Sequence, residues 1–441
     1  MNKTKVAIVG MGTVGTGVAR LLLDHGDRTA RHAGRTLWLE AIVDPDTGRP
    51  RDVDLPANVL TRDLRRVTED PDIKVVAQLI GGLEPARSIM LELLKSGKDV
   101  VTANKALLAE HGGELFDAAR ELGQSIAFEA AVAGGVPIIT NISQCLSANQ
   151  ITSLRGILNG TSNFIVTQMD ERGVDYQTAV KEAQARGYAE ADPSMDVDGS
   201  DAVQKLAILA HLAFGARVHW RDIPRCGIDT LDVADLRYAK ELGYRIKLLA
   251  IAQLSNGVLE LSVAPTLVKM GRPLAEVREA FNAISAVGDA VGPVFFHGLG
   301  AGQMPTASAV VADMIDTAVG RTALTFKTLE LWSRREPRVD IRDHVHLKGR
   351  YYLRFMVEDH PGVMAQIAGV LGRHGVSIAS VIQHNPEPET DGSIVPLVIM
   401  THMTTEGATS SAVEEIDQLE CVSPPSVRMR VLNQYAGGVG E

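Results

Sequence analysis

Cysteine is scarce in this sequence, whose 441 residues contain only Cys145, Cys226 and Cys421. The three lie far apart and show no paired metal-ligand spacing, which excludes a disulfide framework and a cysteine-based metal site. So few cysteines in a long chain are typical of a reducing compartment. We interpret them as small buried hydrophobic residues.

Long apolar runs are also missing. A membrane-spanning helix needs about 18–20 consecutive apolar residues, and no window of the sequence approaches that length. The apolar stretch Val6–Val9 runs directly into glycines without a signal-peptide cleavage pattern, which indicates a strand. We therefore expect a cytoplasmic protein with no membrane partner.

The sequence has no excess of positive charge. It contains 44 Lys and Arg against 54 Asp and Glu, a formal net charge of −10. Because an acidic chain with scattered basic residues repels a phosphate backbone, nucleic acid is not an expected partner. The hydrophobic share of 45% is that of an ordinary globular protein, and the length predicts two or three domains.

Short β-branched runs alternate with helical patterns over residues 1–130, which is typical of a doubly wound parallel sheet. This α/β pattern predicts a Rossmann-type dinucleotide-binding domain. The predicted strands are Val6–Val9, Leu37–Val43, Val75–Leu79, Val100–Thr102 and Ser125–Phe128, and the predicted helices are Val14–Leu23, Pro85–Ser96 and Ala109–Leu122.

The rest of the chain is predicted to form two further domains. Residues 131–332 show the mixed pattern of an α+β substrate-binding, catalytic and dimerisation domain, with a segment near 305–320 that can return to the nucleotide domain. A linker is predicted at 333–348. Residues 349–432 follow the order β-α-β-β-α-β, which predicts a ferredoxin-like module with its own core and with helices at Val363–Arg373 and Ser410–Leu419. We expect this module to be removable without opening the catalytic core.

A glycine motif follows the first predicted strand and opens the first helix, the context expected of a dinucleotide fingerprint. It runs through Gly10, Gly12, Thr13, Val14 and Gly15. Gly10 allows a tight turn, Gly12 lets a pyrophosphate approach the backbone, and Gly15 lets helix and strand pack closely. The alternative is a glycine-rich turn without a ligand.

Asp44 ends the second predicted strand, where an acidic residue accepts hydrogen bonds from the adenosine ribose of NAD. Several nearby arginines could instead hold the 2′-phosphate of NADP. They are Arg49, Arg51, Arg62, Arg65 and Arg66. The residues therefore leave the choice between NAD and NADP open.

Two lysines are candidates for chemistry. Lys105 follows Thr102 and the fourth predicted strand, at the carboxyl edge of the sheet where such folds bind ligands. Lys205 lies four residues after Asp201, so both share one face of a predicted helix. The alternative for Asp201 and Lys205 is a helix cap with a surface ion pair.

Several motifs, in one order over nearly the whole chain, resemble those of homoserine dehydrogenases. They are Val101–Lys105, Phe128–Pro137, Gly156–Asn163, Asp196–Lys205, Leu231–Lys247 and Gly300–Ala307. The resemblance implies hydride transfer between a nicotinamide cofactor and homoserine or aspartate semialdehyde, in the biosynthesis of threonine, methionine and isoleucine. Rivals are another Rossmann oxidoreductase and a nucleotide-sensing regulator without turnover.

The resemblance also implies roles for individual residues. Lys205 corresponds to the proton donor and Lys105 lies beside substrate and nicotinamide, so two neighbouring ammonium groups would disfavour each other's charge. The implied substrate contacts are Glu190, Asp201, Tyr188 and Thr161. The implied cofactor contacts, beyond the glycine motif and Asp44, are Thr102, Lys105, Gly187 and Gly302.

A monovalent-cation site is implied as well, with sodium as the expected ion. Its ligands correspond to Glu129, Val132, Gly134 and Val136, one carboxylate with backbone carbonyl groups.

Val43 stands where family members that prefer NADP often carry arginine. The cofactor is therefore expected to be NADP or NAD.

The C-terminal module resembles an ACT domain. The resemblance implies that an amino-acid effector, threonine as the candidate, binds at Asp359, His360, Gly362 and Val363, where Gly362 leaves backbone N–H groups to meet a carboxylate. The alternative is a module for assembly alone. We expect a homo-oligomer, a dimer or tetramer.

Overall fold

The structure, a computed structural model, describes residues 2–329, 339–384 and 394–432. Its strands are β1 (Lys3–Val9), β2 (Thr36–Val43), β3 (Leu60–Thr61), β4 (Ile73–Gln78), β5 (Asp99–Thr102), β6 (Ile126–Ala127), β7 (Ile151–Ile157), β8 (Tyr244–Ser255), β9 (Val258–Lys269), β10 (Phe281–Gly288), β11 (Gly292–Leu299), β12 (Asp340–Ile341), β13 (Lys348–Glu358), β14 (Ile378–Gln383), β15 (Ile394–Thr401), β16 (Thr404–Thr405) and β17 (Val422–Val431). Its helices are α1 (Thr13–Asp24), α2 (Gly26–Ala33), α3 (Arg65–Thr68), α4 (Ala86–Lys95), α5 (Lys105–Leu122), α6 (Ile138–Thr140), α7 (Gly160–Arg172), α8 (Tyr176–Ala185), α9 (Ser194–Val197), α10 (Ser200–Phe214), α11 (Val233–Glu241), α12 (Gln303–Ala318), α13 (Arg321–Leu329), α14 (Val363–Arg373) and α15 (Glu406–Ile416).

The described chain forms two compact units. The first contains the residues up to 160, 201–223 and 280–340, and the second contains 161–200, 224–279 and the residues from 341 onward. The boundaries of the three predicted domains stay predictions, and residues 333–338 of the predicted linker lie outside the described residues. No helix in the described ranges combines the length and the apolar character that crossing a bilayer requires. Cys421 is buried as expected, but Cys145 and Cys226 are exposed, so the interpretation as buried hydrophobic residues is wrong for these two.

The first unit contains a parallel sheet with the strand order β3-β2-β1-β4-β5-β6. This is the order of a Rossmann fold, which places the switch in strand order between β1 and β4, at the carboxyl end of β1. The central strand β1 is nearly all buried because crossover helices cover both faces of a parallel sheet. The Rossmann-type fold predicted from the alternating pattern is confirmed.

Helix α12 belongs to the same core although it lies far along the chain. Its residues Ala307, Val310 and Met314 are fully buried and pack in one apolar cluster with Val6 and Ile8 of β1. The first unit also holds an antiparallel sheet in which β10 lies between β7 and β11. These strands carry the loops that follow β7 and β11 into the candidate site.

The second unit contains strands in the order β8-β9-β17-β13-β15-β14. The last four form the sheet of the predicted ferredoxin-like module, which confirms its β-α-β-β-α-β order. Helix α15 was predicted to begin at Ser410 but begins at Glu406, because the side chain of Thr405 accepts a hydrogen bond from the Ala408 N–H and caps the helix earlier.

The C-terminal module is joined to residues 224–279 by buried contacts. Strand β17 pairs in parallel with β9 through Arg430 and Val431. The carboxylate of Asp235, which is 0% exposed, accepts hydrogen bonds from Arg354 Nε at 2.6 Å and from the Tyr352 hydroxyl at 2.8 Å. These contacts argue against removing the module without exposing buried groups of residues 224–279, and the effect on the catalytic core stays a prediction.

Candidate active site

The glycine loop has the shape that a dinucleotide site needs. Gly10 adopts a φ of +100°, and a Cβ there would lie 2.9 Å from the backbone of Leu79, so only glycine fits. A Cβ on Gly15 would clash with the carbonyl oxygen of Gly10. Gly12, in contrast, precedes the first turn of α1, and a Cβ there would meet none of the described residues within 4 Å. The space that the motif predicts for a pyrophosphate is therefore available at the helix N-terminus.

Asp44 is tied to this loop and to Arg51. Its Oδ2 accepts a hydrogen bond from the Met11 N–H at 2.6 Å, and its Oδ1 accepts from Arg51 Nη2 at 3.0 Å and from the Asp46 N–H at 2.9 Å. The Arg51 side chain is only 6% exposed. One buried guanidinium therefore lies against the acid expected to meet the adenosine ribose.

The two candidate lysines meet at one carboxylate. Asp201 Oδ1 lies 2.8 Å from Lys105 Nζ, and Asp201 Oδ2 lies 2.7 Å from Lys205 Nζ. Asn159 Nδ2 donates to Oδ2 of the same carboxylate at 2.8 Å. Lys105 is placed by the start of α5 after β5, whereas Asp201 and Lys205 come from successive turns of α10. These residues form what we call the lysine cluster: Lys105, Asn159, Asp201 and Lys205.

The lysine cluster is buried at Asp201 and Lys205, whereas the Lys105 side chain is 38% exposed. Asp201 is 4% exposed and Lys205 is 8% exposed, so the alternative of a surface ion pair does not fit. Burial by itself raises the pKa of the Asp201 carboxyl, but the ammonium groups of Lys205 and Lys105 outweigh it and hold that pKa well below its ordinary value. The carboxylate in turn offsets the mutual repulsion expected of the two ammonium groups.

Backbone and amide groups hold the cluster in place. Lys205 Nζ donates to the carbonyl oxygen of Leu158 at 2.6 Å. Asn104 caps α5 by accepting from the Leu107 N–H, and its Nδ2 donates to the carbonyl oxygens of Ile80 and Gly82. Thr102 Oγ1 accepts from the Asn104 N–H at 3.1 Å. The motifs that contain Asn104 and Asn159 predicted no role for either residue, and their contacts emerge only in the folded chain.

The predicted cation site contains a buried carboxylate. Glu129, 4% exposed, accepts hydrogen bonds from the Ile139 and Thr140 N–H groups at 2.8 Å each. Asp313 Oδ2 accepts from the Glu129 N–H at 2.8 Å. Burial raises the pKa of Glu129, and burial together with the Glu129 charge raises that of Asp313 well above its usual range. Sequence reasoning missed Asp313 because it lies 184 residues away in the chain.

The backbone of this site is tightly folded. Ala133 adopts a φ of +53°, which is uncommon for a residue with a side chain. The Gly135 N–H donates to the Leu299 carbonyl oxygen at 3.0 Å, and a Cβ on Gly134 would lie 2.9 Å from the Gly300 carbonyl oxygen. Val132 and Val136 are buried on either side of this turn. Gly302, a predicted cofactor contact, ends the neighbouring loop and precedes α12.

The other predicted substrate and cofactor residues lie in the second unit. Thr161 Oγ1, in the first turn of α7, donates to the Tyr188 carbonyl oxygen at 2.7 Å. The Tyr188 ring packs on Phe164 with 5.0 Å between centroids. Gly187, with a φ of +73°, and Glu190 lie in the same exposed segment after α8. The structure thus brings Thr161 to the segment that contains Gly187, Tyr188 and Glu190.

The predicted effector residues also lie in the second unit. Gly362 adopts a φ of +99° and precedes α14, whose first residue, Val363, is buried. Asp359 and His360 are exposed in the turn before it, and Asp359 Oδ1 accepts from Gln383 Nε2 at 3.1 Å. The turn therefore presents a helix N-terminus at the protein surface.

The Rossmann sheet and the lysine cluster together define a nicotinamide-nucleotide-dependent oxidoreductase. Family models match residues 10–129 (homoserine dehydrogenase, NAD binding domain), 137–315 (homoserine dehydrogenase) and 351–421 (ACT domain). A homoserine dehydrogenase of Pseudomonas aeruginosa is 43% identical over 442 residues, which cover 98% of this chain and 99% of that protein. The chain belongs to the homoserine dehydrogenase family.

Solved structures agree with this assignment. A homoserine dehydrogenase from Thiobacillus denitrificans matches with a TM-score of 0.87 at 39% identity, covering 98% of this chain and 99% of that one. A hyperthermophilic archaeal homoserine dehydrogenase in complex with NADPH matches with a TM-score of 0.58 at 28% identity, covering 72% of this chain and 98% of that one. The resemblance noted in the motifs is thus confirmed over the catalytic part and the ACT domain.

Proposed function

We propose that the protein interconverts L-homoserine and L-aspartate 4-semialdehyde in the cytoplasm, as a step in the biosynthesis of threonine, methionine and isoleucine. The observation that carries the proposal is the buried carboxylate of Asp201, which holds the ammonium groups of Lys105 and Lys205 in one cluster. A nucleotide sensor without turnover has no use for such a cluster, whereas carbonyl chemistry needs a positioned proton donor. Membership of the homoserine dehydrogenase family supports the same substrate pair.

The proposed roles follow from the charges. Oxidation of the homoserine alcohol removes a hydride from carbon and a proton from oxygen, and a bound nicotinamide nucleotide supplies the hydride acceptor. In this direction Lys205 takes the proton as a neutral amine, and in the other direction its ammonium group gives a proton to the aldehyde oxygen. The contacts with Leu158 and Asp201 fix the position of its Nζ before reaction. Lys105 supplies a second positive charge that favours developing negative charge on the substrate oxygen.

Replacing Lys205 tests the proposal. We expect Lys205→Ala to lose at least about a hundredfold of kcat, which is the usual contribution of general acid–base catalysis, while cofactor affinity stays near wild type. Lys181→Ala, which removes an exposed lysine of α8, is the control. Near-normal turnover of Lys205→Ala, or a wild-type protein inactive with homoserine and both cofactors, would refute the assignment.

Further substrate and cofactor contacts are proposed from the family resemblance. Glu190 and Asp201 bind the amino and hydroxyl groups of homoserine, and Thr161 and Tyr188 complete the contacts. Gly187, Gly302, Thr102 and the glycine loop contact the cofactor. The hydrogen bond from Thr161 to the Tyr188 carbonyl supports a shared role for these two positions.

Both NADP and NAD are proposed as cofactors. Oδ2 of Asp44 already accepts from the Met11 N–H, which leaves about one lone pair for a ribose hydroxyl, as NAD requires. The Arg51 guanidinium on the other oxygen supplies positive charge for a 2′-phosphate, as NADP requires. The NADPH complex of the archaeal relative supports use of the phosphorylated cofactor in the family.

A monovalent cation, sodium, is proposed at Glu129 and the backbone carbonyl groups of Val132, Gly134 and Val136. The donor set fits, because a hard cation takes carboxylate and carbonyl oxygens. Two neighbouring buried carboxyl groups, Glu129 and Asp313, also have raised pKa values, and a cation would offset their charge. The bound ion would fix the turn at 132–136.

Salt-dependent melting tests the cation. Because an ion that binds only the folded state stabilises it, we expect sodium chloride to raise the melting temperature more than choline chloride at equal ionic strength. Glu129→Gln, which removes the charge, is expected to abolish the difference. An equal response of the wild-type protein to both salts would contradict the proposal.

Feedback regulation is proposed for the ACT domain. Threonine would bind with its carboxylate at the N-terminus of α14, contacting Asp359, His360, Gly362 and Val363. The exposed turn and the φ of +99° at Gly362 support this position. A homo-oligomer, dimer or tetramer, is proposed for the assembled enzyme.

A further inference from the structure

Asn282 is a buried polar residue to which neither the motifs nor the proposed mechanism assigns a role. It is 1% exposed and lies in β10, which pairs antiparallel with β7. The register places Ala283 opposite Ile157, so the next step along the two strands brings Asn282 beside Leu158. Sheet geometry alone therefore directs this amide to the end of β7, where the lysine cluster is anchored.

Asn282 and Lys205 share one acceptor. Asn282 Nδ2 donates to the Leu158 carbonyl oxygen at 3.0 Å, and Lys205 Nζ donates to the same oxygen at 2.6 Å. A carbonyl oxygen has two lone pairs, so these two donors fill both. Because the Asn282 amide occupies one lone pair of the Leu158 carbonyl oxygen, the Lys205 ammonium group can bind only at the other.

The rest of the Asn282 side chain is held less favourably. Its Oδ1 is buried and has no hydrogen-bond partner among the described residues. An unsatisfied buried acceptor is destabilising, so an apolar residue would be more favourable at this position if only packing mattered. The amide packs against the backbone of Gly300, where any Cβ would clash with it. Its polar contribution is thus the hydrogen bond to Leu158.

We propose that Asn282 is a positioning residue for the reaction, which fixes the Leu158 carbonyl and thereby the direction in which the Lys205 ammonium points. The inference rests on the proposed role of Lys205 in proton transfer. Without the Nδ2 donor, the ammonium can move between the two lone pairs of the carbonyl oxygen. It also no longer shares that oxygen, which strengthens its own hydrogen bond and favours its charged form.

The test compares Asn282→Leu with the wild-type enzyme in homoserine oxidation. Leucine keeps the volume and removes the donor. We expect kcat to fall about 10- to 100-fold, as for a misplaced catalytic group, with KM values for homoserine and cofactor near wild type. The pH at which kcat/KM reaches half its maximum should rise, because Lys205 must lose its proton to act as the base. Ser153→Ala is the control, because it removes from β7 a buried hydroxyl that has no hydrogen-bond partner in the described part of the chain.

A second variant keeps the test decisive if Asn282→Leu does not fold. Asn282→Asp is nearly isosteric, and its protonated carboxyl can donate to Leu158 whereas its carboxylate cannot. We expect its kcat, relative to wild type, to fall as pH rises through the titration of this group. A folded variant with wild-type kcat and pH profile, or a loss of kcat with no change in the profile, would overturn the proposal. A wild-type enzyme that does not oxidise homoserine would instead refute the proposed function.

Discussion

At the scale of single residues, Arg51 shows how one side chain can adjust cofactor choice. Its guanidinium donates to Asp44 Oδ1, to the Met11 carbonyl at 3.2 Å and to the Arg49 carbonyl at 3.0 Å. These bonds hold a positive charge beside the acid at the end of β2. A positive charge there offsets the repulsion between the Asp44 carboxylate and a 2′-phosphate.

We therefore expect Arg51→Ala to impair use of NADPH more than use of NADH. The loss of one charge-assisted hydrogen bond, about 1.5–3 kcal/mol, should raise the KM for NADPH roughly 10- to 100-fold relative to that for NADH. Initial rates with both cofactors measure this ratio. Arg62→Ala, which removes an exposed arginine of the same region, should leave it unchanged. Equal losses with both cofactors would assign Arg51 to the fold rather than to specificity.

The site contact that the sequence predicts joins residues nearby in the chain, whereas Asn282 and Asp313, which the sequence does not predict, make contacts over long sequence separations. Asp201 and Lys205 are four apart on one helix, so their contact follows from helix geometry. Asn282 meets Leu158 across 124 residues, and Asp313 meets Glu129 across 184. Such contacts depend on strand register and helix packing, which no local pattern specifies. Arg51 was one of five candidate arginines, and only the structure selects it for contact with Asp44.

At the scale of elements, the glycine loop and α1 separate folding from binding. A Cβ at Gly12 would meet no atom of the described residues within 4 Å, and Gly12 has a φ of −77°, which any residue can adopt. A Cβ at Gly15 would overlap the Gly10 carbonyl oxygen. The two glycines are three residues apart, yet only the second is required for packing.

We expect Gly12→Val to fold but to bind cofactor at least tenfold more weakly, because its side chain would occupy the space of the pyrophosphate. Gly15→Ala should lower the free energy of unfolding by about 1–3 kcal/mol, the usual cost of overpacking. Thermal melts and titration of nicotinamide fluorescence measure the two effects. Unchanged affinity of Gly12→Val would exclude a nucleotide site at this loop.

Helices and strands were predicted most accurately where the apolar periodicity and the residues that start or end an element indicated the same bounds. Helix α14 was predicted with the observed bounds, since the glycine before Val363 marks its start and its apolar face is regular. The start of α15 was misplaced, because the Thr405 cap precedes the apolar pattern. Strands β9, β10 and β11 were not predicted. Of these, β10 contains Asn282 and β11 leads into the loop at Gly300. The pairing of β10 with β7 joins distant segments, which no local pattern specifies. Strands β9 and β11 instead follow β8 and β10 through short turns at 256–257 and 289–291, and the sequence analysis did not recognise these hairpins.

At the scale of the whole molecule, the ACT domain and residues 224–279 share one buried ion pair. Asp235 is fully buried, so its charge depends on Arg354, whose Nε and Nη2 donate at 2.6 and 2.9 Å. Removing one partner of such a pair leaves an uncompensated charge, at a cost of about 3–5 kcal/mol. We expect Arg354→Met to lose about this much stability in denaturant unfolding, and Asp235→Asn with Arg354→Met to lose less. An additive double variant would show that the pair does not couple.

Removal of the ACT domain is therefore expected to do more than abolish regulation. A chain that ends before β13 lacks Arg354 and Tyr352, which hold the Asp235 carboxylate, and lacks β17, which pairs with β9. We expect it to melt at a lower temperature than the full chain and to lose activity with that stability.

Asp359→Ala in the full chain keeps all these contacts, because Asp359 lies in the exposed turn before α14. It should therefore keep its melting temperature and activity while threonine inhibition weakens. Melting curves and threonine inhibition of the two variants separate the structural role of the ACT domain from its regulatory role. A stable, fully active truncated chain would show that the buried ion pair is dispensable. Unchanged threonine inhibition of Asp359→Ala would place the effector site elsewhere.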